Sequence, residues 1–96
     1  TVREGVLQTL AVTSIGDKLN INAMSKDNGY LLVEITDHYD NVIKGYSKSE
    51  CIAFTGDSIS HNVKWINTST LPDIGPDGIK LRFYSRNCSV FSFTIS

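Results

Sequence analysis

Ninety-six residues, 41% hydrophobic and 20% charged, fit one globular domain, residues 1–96, and leave no room for a second. Nine Lys and Arg against ten Asp and Glu give a net charge of -1, so there is no overall basic field to hold a phosphate backbone and nucleic acid is not an expected partner. The longest apolar stretches, such as Leu31 to Val33, fall far short of the roughly 20 residues a bilayer-spanning helix needs, and no membrane partner is expected.

The chain opens without an initiator Met or signal-peptide pattern, and strand-like alternation starts within a few residues of Thr1. The expectation is a module excised from a larger polypeptide. Val6, Gln8, Leu10 and Val12 alternate with Leu7, Thr9, Ala11 and Thr13 in a first strand, which turns at Ser14-Ile15-Gly16-Asp17. Leu19, Ile21 and Ala23 then alternate cleanly with Lys18, Asn20 and Asn22. Ser25 to Gly29 reads as a polar loop, after which Leu31, Val33 and Ile35 form an apolar face with Tyr30, Leu32, Glu34 and Thr36 opposite. Asp37 to Asn41 is a turn, and Val42 to Tyr46 a hairpin-like return.

Ser47 to Ser60 reads as a long irregular stretch anchored by Cys51, Ile52 and Phe54. Val63 and Trp65 share an inward face, where the indole N–H seeks a loop carbonyl. A loop from Asn67 to Gly78 holds both prolines, Leu81 and Phe83 alternate with Arg82 and Tyr84, and Arg86 to Ser89 turns the chain. Phe91, Phe93 and Ile95 finish it; with Leu81, Phe83 and Val33 they form the expected main apolar face. Period two recurs and period 3.6 persists nowhere, so the fold class is all-β. About seven or eight short strands point to an antiparallel β-sandwich, jelly-roll-like, in a single domain.

Chemistry is sparse. His38, His61, Cys51 and Cys88 are the nitrogen and sulfur ligands, none at zinc-site spacing, so no metal site is assigned. Asp37, Asp40 and Asn41 could hold calcium, but turns use these residue types for their own backbone. Cys51 and Cys88 allow one disulfide or two buried thiols, and spacing does not decide between them. Ser58, Ser60 and His61 lie near Asp57, yet neighbours along an extended segment point in opposite directions, which argues against a Ser–His pair. Glu34, alternating with Val33 and Ile35, reads as a solvated strand face rather than a glycosidase carboxylate. No catalytic residue and no cofactor are assigned.

Aromatic side chains remain, because sugar rings stack their C–H faces on Tyr and Trp while nearby polar groups take the hydroxyls. Tyr30, Tyr39, Tyr46 and Tyr84 fall at outward or loop positions, with Arg82 and Arg86 beside Tyr84. These six are the candidate glycan contacts.

Several motifs occur in an ordered series: Gly16-Asp17-Lys18-Leu19-Asn20-Ile21-Asn22-Ala23, Gly29 to Asp37, Ile43-Lys44-Gly45-Tyr46-Ser47 with Glu50-Cys51, Thr55-Gly56-Asp57-Ser58, Val63-Lys64-Trp65, Ile79 to Tyr84, and Val90-Phe91-Ser92-Phe93. The series covers nearly the whole chain. It resembles the small β-sandwich module at the C-terminus of many bacterial five-bladed-propeller glycoside hydrolases of the invertase and levanase type. Family members commonly carry Asp where this chain has Glu50, and basic residues where it has Ile59-Ser60-His61. The resemblance implies a chain that is not itself an enzyme, because the catalytic carboxylates of such proteins belong to the propeller. The implied partners are an adjacent catalytic domain in the same polypeptide and a polysaccharide. The expected function is therefore an accessory module of a carbohydrate-active protein that buttresses its neighbour or binds glycan. A protein-interaction or adhesin-like sandwich of a cell-surface protein is the alternative.

Overall fold

The computed structural model describes residues 4–9, 11–13, 16–72 and 77–96. Four strands, β1 (Gly5–Gln8), β2 (Leu19–Asp37), β3 (Asp57–Asn62) and β4 (Ile79–Ile95), form one antiparallel sheet in the order β1-β4-β2-β3. No α-helix occurs among the described residues, only a 3₁₀ turn at Lys48–Glu50. β2 and β4 pair from Leu19↔Ile95 to Asp37↔Ile79. β1 flanks β4 from Gly5↔Ser85 to Gln8↔Arg82, and β3 flanks the N-terminal half of β2. The two short strands thus extend the central ribbon on opposite edges and at opposite ends. The Cα radius of gyration, 12.6 Å, equals that of a compact chain of this length, about 12.5 Å.

Alternation predicts separate strands at Leu19–Ala23 and Leu31–Ile35, and again at Leu81–Tyr84 and Phe91–Ile95. Each pair is instead one continuous strand, β2 or β4. The polar stretches read as turns are where the ribbon kinks. Ser25 pairs with Cys88 and Tyr30 with Arg86, so Lys26 to Gly29 oppose the single residue Asn87. Asn28 (φ 64°) and Asn87 (φ 47°) take left-handed backbone, which Asn tolerates, and the chain carries on rather than reversing. Gly29 is required by proximity: a Cβ there falls within 3 Å of the carbonyl oxygens of Lys26, Arg86 and Asn87. With each long strand divided at this kink, the sheet has six strand segments.

The odd-numbered side chains Leu19, Ile21, Ala23, Leu31, Val33 and Ile35 of β2, with Ile79, Leu81 and Phe83 of β4, form the buried face. Cys51, Phe54, Val63, Trp65 and Leu71 cover it. The cover also completes the edge of β2. Leu31 and Phe54 exchange both backbone hydrogen bonds at 2.9 Å. Val33 donates its N–H to Cys51 Sγ at 3.3 Å, and its carbonyl accepts the Trp65 indole N–H at 3.0 Å. Ile35 donates to the Tyr46 carbonyl and accepts from the Ile43 N–H, both at 3.0 Å. Cys51, Phe54, Val63 and Trp65 lie inward as expected, whereas Ile52 is exposed, and both cysteines are free thiols.

Three expectations are corrected. Phe91 is 62% and Phe93 36% exposed, so the terminal aromatics are not the centre of the core. Asn22 pairs with Ser92 and Ala23 with Val90, which leaves Phe91 as the extra residue of a bulge; Cys88 and Val90 pack on the core instead. Tyr46 is not outward: its ring meets Trp65 edge-on at 5.0 Å, and its hydroxyl donates to the Thr70 carbonyl at 2.9 Å. The stretch from Ser47 to Ser60 contains the 3₁₀ turn and the start of β3. The expected elements at Leu10, at Ser14-Ile15 and at positions 73–76 lie outside the described residues.

Candidate functional site

Side chains alternating with the core place Tyr30 and Glu34 of β2 and Arg82 and Tyr84 of β4 on the opposite face of the ribbon, with Glu34 directly across from Arg82. Glu34 is only 7% exposed, which corrects its reading as a solvated position. Its carboxylate accepts from Arg82 Nη1 at 2.7 Å, the Tyr84 hydroxyl at 3.0 Å and the Lys48 backbone N–H at 3.1 Å. Glu4, just before β1, accepts from the Tyr30 hydroxyl and pairs with Lys48 Nζ. That ammonium also sits over the Tyr84 ring, 4.4 Å from its centroid. The 3₁₀ turn presenting Lys48 is fixed by Glu50, which accepts from the hydroxyl and N–H of Ser47. The Lys48 bond, then that from Tyr30, holds the Glu4 carboxyl below the usual range; Glu4 in turn pushes the Tyr30 and Lys48 pKa values up.

Tyr30, Arg82 and Tyr84 therefore do come together, and Arg86 lies across from Tyr30. Tyr46 is in the cover, and Tyr39 is 74% exposed on the turn after β2, against His38. The three grouped side chains do not make an open platform. Their polar atoms are engaged by Glu4 and Glu34, and Lys48 occupies one face of Tyr84. The cluster is a polar clamp joining β1, β2, β4 and the 3₁₀ turn. Glu4 and Lys48 escape sequence reasoning because nothing in their spacing brings them beside Tyr84. The signal for Glu34 is its position opposite Arg82, which only the strand register reveals.

A different set of polar groups lines a groove of about 350 Å³ beside β3, formed by Ile52, Ser58, Ser60, His61, Asn62 and Lys64. The His61 ring packs on Phe54 with centroids 4.6 Å apart. Burial, then the charge of Lys64, pushes its pKa down, so the imidazole is neutral at pH 7. Ser58 Oγ accepts from the Ser60 N–H at 3.2 Å. No Ser–His hydrogen bond is made among the described residues, and the register shift opposite Asn22 brings Ser58, Ser60, His61 and Asn62 around the one groove.

Asp37, considered for calcium, uses its carboxylate on the N–H groups of Tyr39 and Asn41, at 2.9 and 3.0 Å, and on the Asn41 amide. Among the described residues no three His, Cys, Asp or Glu gather as a metal-ligand group. Comparison with known proteins finds no family model, no curated protein and no solved structure that matches this chain.

Proposed function

We propose that this chain is a non-catalytic accessory module of a carbohydrate-active protein, a jelly-roll-like β-sandwich that binds glycan or supports an adjacent catalytic domain. The observation behind this reading is the state of the two carboxylates on the tyrosine face. Glu34 accepts hydrogen bonds from three donors and Glu4 from two. A general acid or nucleophile must instead turn its oxygen toward a substrate. This engagement favours recognition or support over catalysis at the tyrosine face.

Calorimetric titration and reducing-end assay of the domain against fructans, xylans, pectins and α- and β-glucans test the proposal. Saturable binding without released sugar supports it, and turnover of any polymer refutes it. A second reading, protein docking, is favoured by β1, an outer strand that exposes both Val6 and Leu7.

A further inference from the structure

We infer that the groove beside β3 is a subsite for one saccharide unit, its ring against Ile52 and the His61 imidazole and its hydroxyls on Ser60, Asn62 and Lys64. The inference rests on the glycan-binding arm of the function proposed above and names the place where that arm acts.

β3 is the outer strand of the sheet, so one flank carries no further strand among the described residues. The Ile52 N–H donates to the Lys64 carbonyl at 2.9 Å, which holds these two lining residues together opposite that flank. The volume of about 350 Å³ lies within the range of small-ligand sites, roughly 300 to 1,000 Å³.

The hydrogen-bonding state of the lining separates this groove from the tyrosine face. Among the described residues the Ser60 hydroxyl, the His61 ring nitrogens and the Lys64 ammonium have no partner, and Asn62 spends only its amide N–H, on the Leu19 carbonyl at 3.4 Å. Ser58 Oγ accepts from Ser60 and still has a proton to give. On the tyrosine face the Tyr30 and Tyr84 hydroxyls, Arg82 Nη1 and Lys48 Nζ are all bonded to Glu4 or Glu34.

The lining is also amphipathic in the way a sugar requires. Ile52 gives an apolar surface, and the imidazole, packed at a tilt of 47° against Phe54, supplies one donor and one acceptor as the neutral ring. The Ser60 hydroxyl and the Asn62 amide stand on β3, and the exposed Lys64 ammonium two residues beyond it completes the polar rim. Among the described lining residues Lys64 is the one ionised group, and none carries a carboxylate. That charge balance suits a neutral or carboxylated sugar and disfavours a metal ion or polyamine.

The test is amide chemical-shift mapping of the 96-residue chain with four probes at millimolar concentration: fructo-oligosaccharide, xylohexaose, cellohexaose and oligogalacturonate. The expected result is saturable shifts confined to residues near Ser58–Lys64 with at least one probe. Ser60→Ala and Lys64→Ala, both at exposed positions, should each weaken binding about tenfold with an unchanged amide spectrum elsewhere, whereas Tyr84→Phe leaves affinity as it was. Saturable shifts centred on Tyr30 and Tyr84, lost in Tyr84→Phe and kept in Lys64→Ala, overturn the groove as the site while leaving a glycan-binding module standing. No shift with any probe overturns the groove and the glycan arm together, leaving support of a neighbouring domain.

Discussion

The indole N–H of Trp65 donates to the backbone carbonyl of Val33 at 3.0 Å, so a side chain closes a strand edge where another strand would ordinarily pair. Trp65 is 2% exposed, so the bond is shielded from bulk water. Trp65→Phe removes the donor and part of the volume and should cost about 2 to 4 kcal/mol, read as a fall in the urea midpoint. A wild-type midpoint would show that the bond to Val33 contributes nothing.

Leu81 and Phe93 provide the comparison that locates the core. Leu81→Ala empties a fully buried site and should cost about 2 to 5 kcal/mol. Phe93 touches Phe83, with ring centroids 5.7 Å apart, but stands partly in water, so Phe93→Ala should cost only about 1 to 2 kcal/mol. Denaturation of the two variants side by side decides it; a larger loss at Phe93 would restore the terminal aromatics to the centre.

Gly29→Ala should be more damaging than either, by at least about 3 kcal/mol, because three carbonyl oxygens from both strands of the kink occupy the space of its methyl group. Gly45→Ala is the control. Gly45 has left-handed backbone with open space around it, and the substitution should cost only about 1 to 2 kcal/mol. Equal melting temperatures for the two variants would contradict the close approach at Gly29.

Acid sensitivity should be traceable to Asp37. Hydrogen bonds from Asn41 and then Tyr39 hold its carboxyl below the ordinary value. A depressed folded-state pKa contributes stability above the unfolded value, about pH 4, and that contribution disappears as pH falls through the folded value. The melting temperatures of wild type and Asp37→Asn should therefore differ at pH 7 and converge as the pH falls through the lowered folded-state value. A gap of constant size across that range would assign the stabilisation to something other than charge.

Burial pushes both thiols up, Cys51 and Cys88 alike, so neither should react quickly at neutral pH. Cys88, half-buried, should be modified by a maleimide before Cys51, and both should react rapidly in urea. Fast native labelling of Cys51 would mean that the cover over Val33 opens readily.

The legible parts of this fold are the local ones. Alternation within Leu19–Ala23, Leu31–Ile35 and Leu81–Tyr84 reports the buried face correctly, and Val63 with Trp65 declares the cover. What alternation does not carry is phase across an irregularity. Left-handed Asn87 and the bulge at Phe91 each reset which parity points inward, so Cys88 and Val90 pack against the core while Phe91 does not. The tyrosine face is legible as a set of outward positions, Tyr30, Arg82 and Tyr84. Its meaning depends on Glu4, Glu34 and Lys48, which reach it through pairing between distant segments that spacing along one chain does not specify.

The central ribbon has a kinetic consequence. All its rungs, from Asp37↔Ile79 to Leu19↔Ile95, join residues separated by a large part of the chain, and β3 returns to β2 from beyond the 3₁₀ turn. The local contacts available to an unfolded chain are small bridges such as Thr36↔Val42 around the Asp37 turn and Trp65↔Thr68. Loop-closure entropy must be met before most of the apolar face can assemble, so refolding belongs in the millisecond-to-second range of high-contact-order β proteins. During that interval the uncharged, aromatic C-terminal half of β4 is unpaired, the stage at which crowded refolding favours aggregation over the native ribbon.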